Sequence, residues 1–322
     1  MKAAVVLGAG QAPLYGDMSE PLPSAGESRV SVTAAAISHV VKSRASGTHY
    51  SSSQQFPFGV GIDGVGRLDD GRRVYFVLPR APYGSMAERT VVRSTQCVPL
   101  PDDLDDVTAA AIANPGMSSW AAYRERARLK PGETVLVNGA SGTSGRLAVQ
   151  IARHLGAKKV IATARNADAL ESIAALGADV TIPLVEDVGA LEVTLKEQFA
   201  AGVDVVIDYL WGPSAEQILI AAAKAGRDAV PIRFVQIGST SSQDITLPSA
   251  VLRSSAIELM GSGIGSIPLD RIVSAISELL QATGPAGLQI DTTPVPLPDV
   301  ERAWREDDSR RRTVFTVDGL SC

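Results

Sequence analysis

Cysteine and histidine are scarce in this chain of 322 residues: two cysteines, Cys97 and Cys322, and three histidines, His39, His49 and His154. Two thiols cannot build a disulfide framework or a cysteine-rich zinc site, and no HExxH or similar ligand spacing occurs. The expectation is a metal-free protein of the cytoplasm. Long apolar runs are missing too, since no stretch reaches the roughly 18 consecutive apolar residues of a membrane span. Nor is there a run of one charge. The 30 basic and 35 acidic side chains leave a net charge of −5, spread along the chain, which speaks against nucleic acid and against a membrane surface as partners. The opening MKAAVVLGAGQAPLYG lacks the longer apolar region and cleavage pattern of a leader and reads as a first β-strand.

What is present is an ordinary globular composition, 45% hydrophobic, at a length that suggests two domains of about 150 residues. The texture changes near residue 130. Before it, short β-rich pieces (29–36, 73–78, 88–92) are separated by Gly, Pro and Ser clusters, as in an irregular antiparallel domain. From Thr134 to Gly261, strand-like runs alternate with helical segments. The runs are VLV (135–137), VIATA (160–164), VTI (180–182), VDVVID (203–208), RFVQIG (233–238) and IELMG (257–261). Six such strands predict a doubly wound parallel sheet covered on both faces. After a helix over 269–282, the strand-like text TTPVPLPDVERAW and RRTVFTVDG returns to the character of the first part. The expected organisation is a β domain of residues 1–115 and 285–322 with an α/β domain of residues 116–284 inserted in it.

The sharpest feature is VLVNGASGTSG (135–145), in which a strand runs through Gly139, Gly142 and Gly145 into a helix. Unpaired N–H groups and a partial positive charge at a helix N-terminus suit a diphosphate, and glycine lets backbone approach it. Ser141, Thr143 and Ser144 add hydroxyl donors. The plain alternative is a tight strand-to-helix turn. A similar text at Ala3–Gly10 lacks the third glycine, has Pro13 in that region and is followed by no helical pattern, so it is set aside. After the second strand comes ATARN (162–166), with Arg165 where an NAD site usually has Asp or Glu. A guanidinium pairs with a 2′-phosphate and favours NADP(H); the alternative is a solvated arginine at a helix start.

These residues resemble the zinc-independent medium-chain dehydrogenase/reductases of the NADPH:quinone oxidoreductase type. The resemblance runs through GIDGVG (61–66), GSMAERTVV (84–92), the 115–145 segment, VIATARN (160–166) and the strand Phe234–Gly238 with its Ser-rich loop. It implies a GroES-like β domain with an inserted Rossmann domain, and commonly a homodimer formed by pairing sheet edges. It places Gly142, Thr143 and Ser144 at the diphosphate and Arg165 at the 2′-phosphate, with its neighbour Asn166. Ser118, Leu210, Gly238 and Ser239 then lie toward the nicotinamide end. The sequence also departs from the pattern. Ser38, Ile62 and Asp63 stand where zinc enzymes of the superfamily hold the metal, and Ser38–Lys42 replaces an Asn-x-x-Asp segment frequent in the zinc-free reductases.

The implied reaction is NADPH-dependent hydride transfer to a quinone or α,β-unsaturated carbonyl, a small-molecule acceptor. Two rival readings are a non-catalytic NADPH-binding sensor or structural homologue, and an NADP-linked alcohol dehydrogenase. Hydride transfer requires chiefly positioning, with a hydroxyl or N–H near the carbonyl oxygen where charge develops. Tyr50 and Ser38 are the candidate polar groups, the alternatives being a packing tyrosine and a simple contact. His39 and His154 read as structural. Asp208, ending a buried strand, either touches the cofactor loop or caps a turn.

Overall fold

The computed structural model describes residues 1–47, 55–184, 187–307 and 311–317. The chain divides into two compact units, one of Met1–Asn114 with Ile276–Cys322 and one of Pro115–Ala275. The second boundary falls inside the helix Leu269–Thr283, ahead of the point that composition suggests.

The central unit holds a six-stranded parallel sheet. Its strands in chain order are Thr134–Asn138, Lys159–Ala164, Val180–Pro183, Val205–Asp208, Ile232–Gln236 and Ile257–Gly261. They lie side by side in the order 3-2-1-4-5-6, the doubly wound dinucleotide-binding arrangement. Register follows burial: Leu136 of the first strand lies beside Ile161 and Val206, all three without exposure. Strands buried on both faces need apolar runs rather than alternation, which is why these pieces are legible. The helices between them bury Leu195, Phe199, Ile218 and Leu219 against one face of the sheet.

In the other unit, the long strand Glu27–Ala36 pairs with Asp63–Leu68, Arg89–Arg93 and Arg312–Thr316, all antiparallel. The last of these brings the C-terminal strand text back into the first sheet. The pairing of Glu27–Ala36 with Asp63–Leu68 shifts register between Val32 and Ala34, the mark of a bulge. A separate three-stranded sheet centres on Lys2–Val6, flanked by Leu14–Asp17 and Phe58–Gly59. The glycine-containing text at the N-terminus is therefore a hairpin arm.

The helix Asp106–Ala121, continued by a wider turn over Ala122–Ala127, has no counterpart in the pattern reading. Its polar residues, Asp106, Thr108, Asn114, Ser118 and Ser119, do not gather on one face, so no amphipathic period marks it, and its interior Pro115 argues against a helix. Among the described residues, no helix is long and apolar enough to cross a membrane.

Candidate functional site

The three glycines of the turn serve different needs. Gly139 has φ +89°, a left-handed conformation that disfavours any side chain, and an added Cβ would meet Leu210 Cγ at 2.8 Å. Gly145 sits where the helix crosses the strand end, and a Cβ there would lie 2.3 Å from the Gly139 carbonyl oxygen. Gly142 is unlike both. Its φ of −75° and ψ of 162° suit any residue, and a Cβ would have no neighbour within 4 Å. It caps the helix Thr143–His154, whose first turn has no acidic side chain and no side-chain cap. The helix therefore opens with uncompensated N–H groups beside Ser141, Thr143 and Ser144.

Behind this turn, a buried polar network ties three strand ends together. Asn138 donates to Asp208 Oδ1 at 2.8 Å and to Ser214 Oγ at 2.9 Å, and Thr163 donates to Asn138 Oδ1 at 2.6 Å. Thr163 Oγ1 in turn accepts from the Gly139 N–H at 3.2 Å. Asp208 accepts from the backbone N–H groups of Leu210, at 3.0 Å, and Trp211. The carboxylate thus caps the turn that presents Leu210. Burial pushes its pKa up, against the hydrogen bonds from Leu210, Asn138 and Trp211. Trp211 has φ 59° and ψ −160°, a region that essentially only glycine adopts freely. The Asp208→Ala variant is expected to lose about 2–4 kcal/mol of stability, because three buried donors lose an acceptor at once. A lowered urea midpoint with an unchanged slope would show it.

The predicted cofactor positions gather at the carboxyl end of this sheet. Arg165 and Asn166 follow the second strand. Arg165 is exposed and has no hydrogen bond or ion pair among the described residues, whereas Asn166 caps the next helix by accepting from the Asp168 N–H at 2.9 Å. Ser118 donates to the Pro115 carbonyl at 2.7 Å, so the single proton of its hydroxyl is committed. Its 3.2 Å contact with the Tyr209 hydroxyl is then one in which the phenol donates. Burial pushes the Tyr209 pKa up to about 12. Gly238 packs on the Tyr209 backbone, where a Cβ would lie 2.7 Å from the carbonyl oxygen. Ser239 lies beside it in the exposed loop, its hydroxyl donating to Gln243 at 3.4 Å. Tyr209 itself carries no sequence signal beyond following Asp208, and pattern reading passes over it. His154 ends its helix with its ring 5.6 Å from that of Trp120, a packing role.

In the β unit, Ser38 is buried and caps the helix His39–Ala45, its Oγ accepting from the Val41 N–H at 3.1 Å. Tyr50 lies outside the described residues. Asp63 is buried and accepts from the Tyr75 hydroxyl at 2.5 Å, while its other oxygen has no hydrogen-bond partner among the described residues. Burial lifts its carboxyl to about 6, with Tyr75 and Arg312 pulling the other way. Lys42 forms an ion pair with Asp307 at 2.6 Å. The helix also lines an open recess within this unit, bordered by Val60, Ile62, Phe58 and Pro82.

The zinc-binding dehydrogenase family model matches residues 145–282. A probable NADPH-dependent quinone reductase, tdiC, of Emericella nidulans is 29% identical over 95% of this chain and 96% of its own. A 2-haloacrylate reductase from a Burkholderia species is 32% identical over 58% of each chain. The quinone oxidoreductase of Thermus thermophilus, determined alone and with NADPH, superimposes with a TM-score of 0.80 at 27% identity, covering 98% of this chain and 100% of that one. The chain is similar to the medium-chain dehydrogenase/reductases of the quinone-oxidoreductase kind.

Its fold is that of the family, a GroES-like β unit interrupted by a Rossmann unit. The family model's name mentions zinc, and the residues that the resemblance sets at the metal positions are poor ligands in this fold. At the positions concerned, Ser38 Oγ is spent on a helix cap, Ile62 has no donor atom, and Asp63 is already bonded to a phenol. Among the described residues, no group of three or more His, Cys, Asp or Glu comes together as a ligand set.

Proposed function

We propose that this protein is an NADPH-dependent reductase that passes hydride, without a metal, to a quinone or an α,β-unsaturated carbonyl. The observation that carries the reading is Gly142. Neither its backbone conformation nor any neighbouring atom requires a glycine there, yet the residue opens a helix whose first N–H groups lack a side-chain acceptor. A diphosphate supplies both the reason for the missing Cβ and the missing negative charge. The residues therefore fit the cofactor. Ser141, Gly142, Thr143 and Ser144 would hold the diphosphate, and Arg165 with the amide of Asn166 the 2′-phosphate. Ser118, Leu210, Gly238 and Ser239 would line the nicotinamide end. The names of the relatives, among them an NADPH-dependent quinone reductase and a 2-haloacrylate reductase, support this choice of cofactor and acceptor class.

When bound, NADPH supplies the hydride from its nicotinamide. The protein's part is positioning. The Asn138–Thr163–Asp208 network holds the Gly139 and Leu210 turns in fixed relation, so the cofactor meets a preformed surface. Tyr209 stays protonated and donates to Ser118, which fixes that hydroxyl beside Pro115. In this reading Tyr50, which lies outside the described residues, is the candidate hydroxyl for the acceptor's carbonyl oxygen, where charge develops. Ser38 acts through the helix it caps.

The test is the loss of reduced-nicotinamide absorbance on adding quinones and enones to the chelator-treated protein with NADPH. Turnover that survives the chelator is expected. Tight NADPH binding without turnover on any acceptor would instead identify a sensor, and chelator-sensitive oxidation of alcohols would identify an alcohol dehydrogenase.

Homodimerisation through the strand Ile257–Gly261 is part of the proposal. This strand ends the parallel sheet and carries Leu259 39% exposed beside the exposed Glu258, and a sheet edge is a template for pairing with a second copy. Sedimentation is expected to give twice the 33.6 kDa chain mass, and Leu259→Lys the single mass.

A further inference from the structure

The recess in the β unit contains a charge that no described residue answers. Arg44, on the helix His39–Ala45, lines it together with Val41, Phe58, Val60, Ile62 and Pro82, and every other described side chain of the lining is uncharged. The guanidinium is half-buried, and among the described residues it has no hydrogen bond and no ion pair. Burial lowers its pKa, and no anion among the described residues offsets that. Other arginines of the same unit are treated differently. Arg73 pairs with Asp106, Arg80 with Glu27 and Arg89 with Glu20. On the helix of Arg44 itself, Lys42 is satisfied by Asp307. A partly desolvated cation set in apolar walls costs free energy unless a ligand brings the counter-charge.

We propose that this recess is a binding site for an organic carboxylate with an apolar body, the carboxylate pairing with the Arg44 guanidinium. The chemistry selects that class. A planar guanidinium matches a carboxylate through two parallel hydrogen bonds, and one such fork neutralises a monoanion completely. A phosphate dianion would remain half-compensated among Val41, Val60 and Ile62, whose surfaces instead suit an alkyl or aryl body. The neutral quinone and the neutral enone leave Arg44 unanswered. The substrate class that follows is an unsaturated acid, and this step alone rests on the reductase reading above.

The experiment is calorimetric titration of the full-length protein with octanoate, which cannot be reduced, and with its methyl ester. Octanoate is expected to bind and the ester at least tenfold more weakly. Arg44→Gln should weaken octanoate binding roughly 10- to 100-fold, the range for losing charge-assisted hydrogen bonds, and leave NADPH binding unchanged. Arg44→Lys should recover part of the affinity, since it restores the charge and not the fork. Equal binding of acid and ester, or octanoate binding that Arg44→Gln leaves intact, would overturn the site. Assays with 2-octenoate and its methyl ester separate the two readings. Octanoate binding without NADPH oxidation by either acceptor keeps the site and defeats the reductase. Oxidation by the ester alone, with no octanoate binding, does the reverse.

Discussion

Replacing Gly142 with aspartate is expected to leave the protein as stable as before, or more stable, while NADPH binding falls by at least about 100-fold. The two effects have opposite signs for one reason. The added side chain meets no atom within 4 Å, and the backbone at this position already has the extended conformation of a helix cap. Aspartate caps a helix better than glycine by a few tenths of a kcal/mol, and its charge favours the helix dipole by about another 0.3–1 kcal/mol. The same carboxylate fills the space a diphosphate would use and repels it. Thermal melts and fluorescence titration with NADPH measure the two halves. Unchanged NADPH affinity would mean that the diphosphate does not rest on this turn. Gly145→Ala gives the contrast. Its Cβ would lie 2.3 Å from the Gly139 carbonyl and 2.7 Å from Ala140 Cα, so it is expected to cost about 1–3 kcal/mol or more through overpacking.

Arg165→Asp is expected to reverse the coenzyme preference. The guanidinium is exposed, lies just after the second strand and engages no protein group among those described, so its removal leaves nothing behind unpaired. Two charge-assisted hydrogen bonds to a 2′-phosphate are lost, and a repulsive charge takes their place. NADPH should weaken by roughly 100-fold, while NADH should hold or improve because the new carboxylate can accept from the ribose 2′-hydroxyl. Measuring both dissociation constants decides the matter. An equal change for the two coenzymes would show that Arg165 does not read the phosphate. Stability should not move, which separates this variant from Asp208→Ala.

The sequence by itself determined the architecture of the central unit, since strands buried on both faces must be written as apolar runs and the glycine turn must follow the first of them. It also determined the first strand at the N-terminus and the return of the C-terminal strands, through local apolar patterns and the positions of proline and glycine. Helix Asp106–Ala121 escaped it, because its polar and apolar residues do not segregate onto faces and Pro115 interrupts it. What only the tertiary structure decided is which polar groups are already spent. Ser38 and Asp208 look alike as candidates in one dimension; folded, the first caps a helix and the second holds the Leu210 turn. The need for glycine at 139 likewise depends on a residue far along the chain, Leu210. So does the charge of Arg44, one arginine among many until the fold supplies partners to Arg73, Arg80 and Arg89 and none to it among the described residues. Hydrogen bonds and ion pairs join residues distant in sequence, so a residue's freedom to act on a ligand is a property of the packed protein.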